Sequence, residues 1–301
     1  MKKVKWMNET ILLTGASGFL GRRIARFLQR TDAYLITTSR QQESYPNHLV
    51  RDLANVTAEI AQNVDTVIHL AGLNETANAT DADYHTANVG HSVKLLESAM
   101  AAGARRFIFI STTKVHGESG MDITENSPFA PATAYARSKL AAEMALQQAA
   151  KDRIDLVILR LPLIYHIDAI NEFGHYIAMV KEGRSLPFDK MDNQRTMLAL
   201  CNFESALNAV LMQPEKGSDT FIIADGFALS TTEIFKGIAV SAEVPLQLFY
   251  LPKIMAKASM KLTGRARSFD ELWGSYVVNS QYAQTTLNWQ PARDYVANLS
   301  N

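Results

Sequence analysis

The sequence predicts an α/β fold built on a doubly wound parallel sheet, with a smaller, discontinuous C-terminal substrate domain. Three observations carry this. Short apolar runs alternate with segments of helical length and spacing. The first run ends in a glycine-rich turn that opens a helix, and a later run, Arg106 to Ser111, reads as a strand buried on both faces.

The elements follow in order. Thr10-Ile11-Leu12-Leu13 forms the first strand, and Phe19 to Arg30 carries apolar residues at helical spacing. Strands are expected at Tyr34 to Thr38, His48 to Arg51 and Val64 to Leu70, with a helix between the last two. Asn88 to Ala102 reads as one long helix, stopped by Gly103. Pro128 and Pro131 mark a loop before an alanine- and leucine-rich helix, Ala132 to Ala150, and Leu156 to Leu161 supplies a sixth strand. Past Pro162 the rhythm loosens into helices near Phe173 to Glu182, Glu204 to Met212 and Thr231 to Val240, and a late strand near Thr220 to Ala224. No repeat or clear linker is present, so a second domain must share chain with the first. The division expected is residues 1–165, with later returns near 190–226, for the first domain and mainly 166–301 for the second.

Composition narrows the function. Thirty basic residues balance thirty acidic ones, so no whole-chain field draws the protein to nucleic acid or to an anionic membrane, and a small, locally recognised ligand is expected. The single cysteine, Cys201, excludes an internal disulfide and a cysteine metal cage, and reads as an inert buried thiol. The apolar run within Met1 to Leu13 is too short for a secretory signal. Leu272 to Ala292 lacks charge but is broken by Asn, Gln, Ser and Thr, unlike the roughly 20 apolar residues that span a bilayer. A soluble, cytoplasmic protein is expected. The histidines, among them His69, His85, His116 and His166, show no metal-ligand spacing, and no metal site is expected.

Gly15-Ala16-Ser17-Gly18-Phe19-Leu20-Gly21 joins a strand to a helix, where glycines let backbone approach a pyrophosphate at the helix N-terminus. An ordinary tight turn is the bland alternative, and Arg22 and Arg23 read as solvated helix charge. About 20 residues on, where NAD-binding proteins carry a carboxylate for the ribose, stand Ser39 and Arg40, which suit the 2′-phosphate of NADP instead. Asp52 and Leu53 are placed against the adenine, and Ala71 and Gly72 let the cofactor pass closely. Tyr135 and Lys139, four residues apart, share a helix face, and the ammonium is expected to lower the phenol pKa. Ser111-Thr112-Thr113 ends a strand on the side where doubly wound sheets bind ligands.

Together these residues resemble the extended short-chain dehydrogenase/reductase family, whose fold is Rossmann-type and which includes nucleotide-sugar epimerases, dehydratases and 4-keto reductases. The resemblance extends to Ala87-Asn88-Val89-Gly90 and to Ser111 through Glu118, and implies Thr112 as catalytic hydroxyl beside Tyr135 and Lys139. It adds Leu73, Asn88, Ser111 and Pro162 to the cofactor residues, and makes Lys114 and Arg195 substrate contacts, the latter at a diphosphate. The later half, with Arg195 through Leu200, Ala224-Asp225-Gly226 and Leu287 through Pro291, is similar to bacterial enzymes acting at C4 of UDP-linked N-acetylated or 6-deoxy amino sugars for surface polysaccharides. The family often has Tyr-Gly-Pro after the sixth strand, where this chain reads Pro162-Leu163-Ile164-Tyr165-His166. The resemblance therefore implies a reductase of a UDP-4-keto sugar using NADP, otherwise NAD, and a homodimer formed through the two long helices. The alternatives are a 4-epimerase with tightly held NAD, and a non-catalytic sensor or scaffold.

Overall fold

The computed structural model describes residues 9–50, 53, 58–76, 78–151, 153–262, 269 and 272–301. Five strands, β1 (Thr10–Thr14), β2 (Tyr34–Ser39), β3 (His48–Val50), β4 (Thr66–His69) and β5 (Arg106–Thr112), join strands Asp155–Leu161 and Asp219–Ile222 in one sheet. Its order is Asp219–Ile222, Asp155–Leu161, β5, β4, β1, β2, β3. β1 pairs in parallel with both β2 and β4, so the chain winds one way from β1 and then the other. The crevice at the carboxyl ends of β1 and β4 is therefore the topological switch point, the ligand position of open α/β sheets.

Ile11, Leu12 and Leu13 are all fully buried, because crossover helices cover both faces of this sheet. On one face α1 (Phe19–Leu28) buries Ile24 and Leu28. α2 (Asp81–Tyr84) starts at a capping box in which Thr80 and Asp83 satisfy each other's amides. α3 (His91–Ala101) and α4 (Ala134–Ala150) pack Leu95, Leu96, Ala142 and Leu146 around Val67, Phe107 and Phe109.

The long helix expected over Asn88 to Ala102 is divided. His85–Gly90 is a π-helical segment, and the α-helix begins only at His91. Apolar spacing cannot reveal this, since one residue inserted in a turn leaves the flanking pattern helical. Between β3 and β4 the described residues form a 3₁₀ turn, Ala58–Ala61, rather than a helix. Arg51 and Asp52 lie outside the described residues.

The chain forms two compact units. The first comprises the segment ending at Val115, Phe129–Arg160 and Leu207–Phe221; the second comprises His116–Pro128, Leu161–Ala206 and Ile222–Asn301. The second unit packs aromatic side chains, with Phe188 stacked on Phe235 at 4.8 Å and Tyr165 edge-on to Tyr295 at 5.1 Å. Its buried polar centre is Asp225, which accepts from the Tyr165 hydroxyl at 2.7 Å and from Asn202 at 2.8 Å. No helix among the described residues is long and apolar enough to cross a membrane.

Candidate active site

β1 delivers the chain to Gly15, whose φ of 73° lies in the left-handed region that favours glycine. A Cβ there would sit 2.7 Å from the Ala71 amide nitrogen at the end of β4, and one on Gly21 would sit 2.0 Å from the Gly15 carbonyl oxygen. The two strand ends and the first turn of α1 can thus close on one another only with glycines at these places. α1 has no side-chain cap at Gly18 and no acidic residue in its first turn, so the positive end of its dipole suits an anion. Phe19, Leu20 and Gly21 form that turn.

The result is a cleft of ≈ 220 Å³ in the first unit, lined by Gly15, Ser17, Gly18, Thr38, Ser39, Arg40, Leu53, Leu70, Ala71, Gly72, Asn74, Ala87 and His91. Eight residues singled out from sequence meet here: Gly15, Ser17, Gly18, Ser39, Arg40, Leu53, Ala71 and Gly72. The hydroxyl of Thr38, buried in the cleft wall, has no hydrogen-bond partner. An orphaned donor and the positive end of a helix beside a glycine cradle fit a dinucleotide. Ser39 differs from expectation, because its hydroxyl donates to the Gln41 carbonyl at 2.6 Å, leaving Arg40 as the group suited to an additional phosphate. Asp52, placed against the adenine from sequence, lies outside the described residues.

Asn88 binds the loop after β4 as a second strand would. Its Oδ1 accepts from the Leu73 amide at 2.7 Å and its Nδ2 donates to the Leu73 carbonyl at 3.0 Å, which fixes the orientation of the side-chain amide. The other Nδ2 hydrogen goes to Ser138 Oγ at 2.9 Å, and Ser138 donates to the Tyr135 carbonyl at 2.7 Å. Gly72 permits this contact, since a Cβ would meet Asn88 Oδ1 at 2.8 Å.

α4, capped by Thr133 on the Ala136 amide, carries Tyr135 and Lys139. Lys139 is buried, with Nζ 4.0 Å from the centre of the Phe109 ring. Burial pushes its pKa down to about 7, while Glu143 one turn on pulls it upward. The expected lowering of the Tyr135 pKa is overturned: burial raises it, and Glu75 and Tyr84 add to the rise. Desolvation is the first cause and the Glu75 carboxylate the second, influences that residue spacing does not reveal.

Thr112 ends β5, and its Oγ1 accepts from the Lys114 amide at 3.2 Å. Lys114 Nζ pairs with Glu75 at 3.1 Å. Ser111 donates to Glu143, which also receives Arg160 Nη2 at 2.7 Å in a pair whose side chains are only 4% and 2% exposed. Glu75, Glu143 and Arg160 were not anticipated. Glu143 could have been, since Tyr135, Lys139 and Glu143 continue one i, i+4, i+8 helix face. Pro162 and Arg195 belong to the second unit, where Arg195 opens the short strand Arg195–Thr196 and donates to the Gly274 carbonyl at 3.3 Å. Cys201 is half-buried, and burial pushes its thiol pKa up.

Residues 11–196 match the model of the NAD dependent epimerase/dehydratase family. The chain belongs to that family. It is 27% identical over 300 residues to a UDP-glucose 4-epimerase of Vibrio cholerae, covering 95% of this chain and 92% of the relative. It is 23% identical over 253 residues to the N-acetyl-alpha-D-glucosaminyl-diphospho-ditrans,octacis-undecaprenol 4-epimerase of Escherichia coli O157:H7, covering 82% and 76%. The solved UDP-glucuronic acid 4-epimerase of Bacillus cereus, in complex with NAD, superposes with a TM-score of 0.78 at 20% identity over 96% of each chain. This epimerase/dehydratase chain thus has the Rossmann-type architecture of that neighbour.

Proposed function

We propose that the protein reduces the 4-keto group of a UDP-linked (6-deoxy) N-acetyl amino sugar, with NADP as its cofactor and Tyr135 as proton donor. The observation that carries the reading is the cleft end formed by Ser39 and Arg40, where no described lining residue is acidic. A carboxylate there would repel a 2′-phosphate, whereas a guanidinium binds one. An NADP preference suits net reduction better than a cycle that returns the cofactor unchanged.

When bound, the nicotinamide supplies the hydride that reduces C4. The chain does the rest. Tyr135, held protonated by burial and by Glu75, donates its proton to the C4 oxygen as charge develops there. Thr112 donates a hydrogen bond to the same oxygen, and Lys139 holds the nicotinamide ribose. In this reading Gly15 to Gly21 take the pyrophosphate, Leu53 and Asp52 the adenine side, and Arg195 with Lys114 the sugar nucleotide. A homodimer through α3 and α4 would cover Met144, now 61% exposed.

The second reading is 4-epimerisation, favoured by the relatives named as 4-epimerases. It needs Tyr135 to accept a proton first, opposite to the state that burial favours. Titration of cofactor-stripped protein with NADPH and NADH tests the proposal. NADPH should bind more tightly, and Arg40→Ala should cost it about 10–150-fold, the worth of one charge-assisted hydrogen bond at ~1.5–3 kcal/mol. Equal or better NADH binding, with no net cofactor consumed per sugar, would move the epimerase reading to first place.

A further inference from the structure

The buried imidazole between β4 and α3 has no part in the chemistry above. His69 is 1% exposed, and its Nδ1 lies 2.7 Å from Thr14 Oγ1 and its Nε2 2.8 Å from Ser92 Oγ. The neighbours fix where the protons are. Ser92 donates its only hydroxyl hydrogen to the Asn88 carbonyl at 2.7 Å, so it must accept from His69 Nε2–H. The Nδ1 of a neutral ring then accepts, and Thr14 donates to it. Thr14 in turn accepts from the Ala71 amide at 3.3 Å.

A chain of single direction results: Ala71 amide to Thr14, Thr14 to His69, His69 to Ser92, Ser92 to the Asn88 carbonyl. Asn88 continues it through its side chain to Leu73 and Ser138, and Ser138 reaches the Tyr135 carbonyl. Its first member, Ala71, lines the cleft, and its last is the backbone of the tyrosine.

We propose that His69 is a positioning residue whose neutral Nε2–H tautomer ties the cofactor cleft at Ala71 to the helical turn that carries Tyr135. The neutral Nε2–H ring accepts from Thr14 and donates to Ser92 while Ser92 keeps its bond to Asn88; the Nδ1–H tautomer would set Nε2 against the Ser92 oxygen unless Ser92 let go of Asn88, and either it or an imidazolium would reverse the direction at Thr14. Burial first, and then the neighbouring Lys139, holds the ring neutral. The kinetic consequence rests on the proposed role of Tyr135, whereas the tautomer and the cleft contact do not.

Nitrogen-15 NMR of the His69 ring tests the direction of the chain in the native protein. One neutral Nε2–H tautomer should persist from pH about 8 to about 5.5, across the range where an ordinary histidine titrates. An Nδ1–H ring or an imidazolium in that range overturns the proposal. His69→Leu should weaken cofactor binding and lower kcat together, each by roughly tenfold, and speed hydrogen exchange at Leu73. His69→Gln, which keeps one acceptor and one donor, should recover most of both. Combined with Ser138→Ala, the kcat loss should be smaller than the product of the two single losses, as for members of one network.

A folded His69→Leu protein with a lower melting temperature but unchanged cofactor Kd and kcat would reduce His69 to packing and refute the idea. If His69→Leu does not fold, the tautomer and the His69→Gln variant decide. Should Tyr135→Phe keep full turnover while the tautomer, the Leu73 exchange and the cofactor effect hold, the proton-donor reading fails and the chain stands.

Discussion

Glu143→Gln tests the buried pair behind Lys139. The native carboxylate accepts from Arg160 Nη2 at 2.7 Å, from Arg160 Nε at 3.1 Å and from Ser111, with both charged side chains almost wholly buried. Removing the carboxylate charge leaves a dry guanidinium without its counter-ion, which costs about 3–5 kcal/mol. Replacing both partners by apolar residues, Glu143→Met with Arg160→Met, removes the desolvation penalty as well. The double variant should therefore unfold within about 2 kcal/mol of the native protein, apart from about 1 kcal/mol for the unpaired Ser111 hydroxyl.

Denaturant unfolding followed by circular dichroism measures all three proteins, and turnover measured beside it separates stability from function. Lys139, already down to about 7, loses a neighbour that raises its pKa, so the double variant should regain stability without regaining activity at neutral pH. A single variant less than about 1 kcal/mol weaker than native would show that the pair is not dry. A double variant that recovers both stability and kcat would show that Glu143 does nothing for Lys139.

Other substitutions reach different parts of the site. Glu75→Gln removes a carboxylate that raises the Tyr135 pKa, so the limb where activity falls as pH rises should move to lower pH, read from kcat/KM against pH. His69 is held well below the ordinary histidine value, at about 3, so its neutral form supports the fold above pH about 6.5 and that support is lost as pH falls toward 3. The melting temperature should accordingly fall below pH about 6.5 in the native protein and fall less steeply in His69→Leu. Gly72→Ala puts a methyl group 2.8 Å from Asn88 Oδ1, and should cost about 1–3 kcal/mol in unfolding together with a weaker cofactor Kd.

The parts of this protein that local rules determine were legible in its sequence. β1 reads as a strand because Ile11 to Leu13 are apolar without interruption, and the glycines after it read as a phosphate turn because they join that strand to a helix. Tyr135 and Lys139 needed only the pitch of a helix. Asn88 was singled out by resemblance, yet its π-helical setting was not visible, since periodicity tolerates one inserted residue. Asp225 and its partner Tyr165 stand 60 residues apart, a pairing that no local spacing encodes.

The sign of the Tyr135 shift shows why chemistry is harder to read than fold. Helical geometry puts a cation one turn from a phenol, and on a solvated helix that cation would dominate. Here α4 is pressed against β5, and Lys139 is buried against Phe109 with its own charge weakened. The phenol meanwhile faces Glu75 from the loop after β4 and Tyr84 from α2. Each of these influences comes from a different stretch of chain, so the protonation state belongs to the packed site, whereas the two residues that carry it belong to one turn of helix. The packing, rather than the motif, decides how far the Tyr135 phenol departs from its ordinary value.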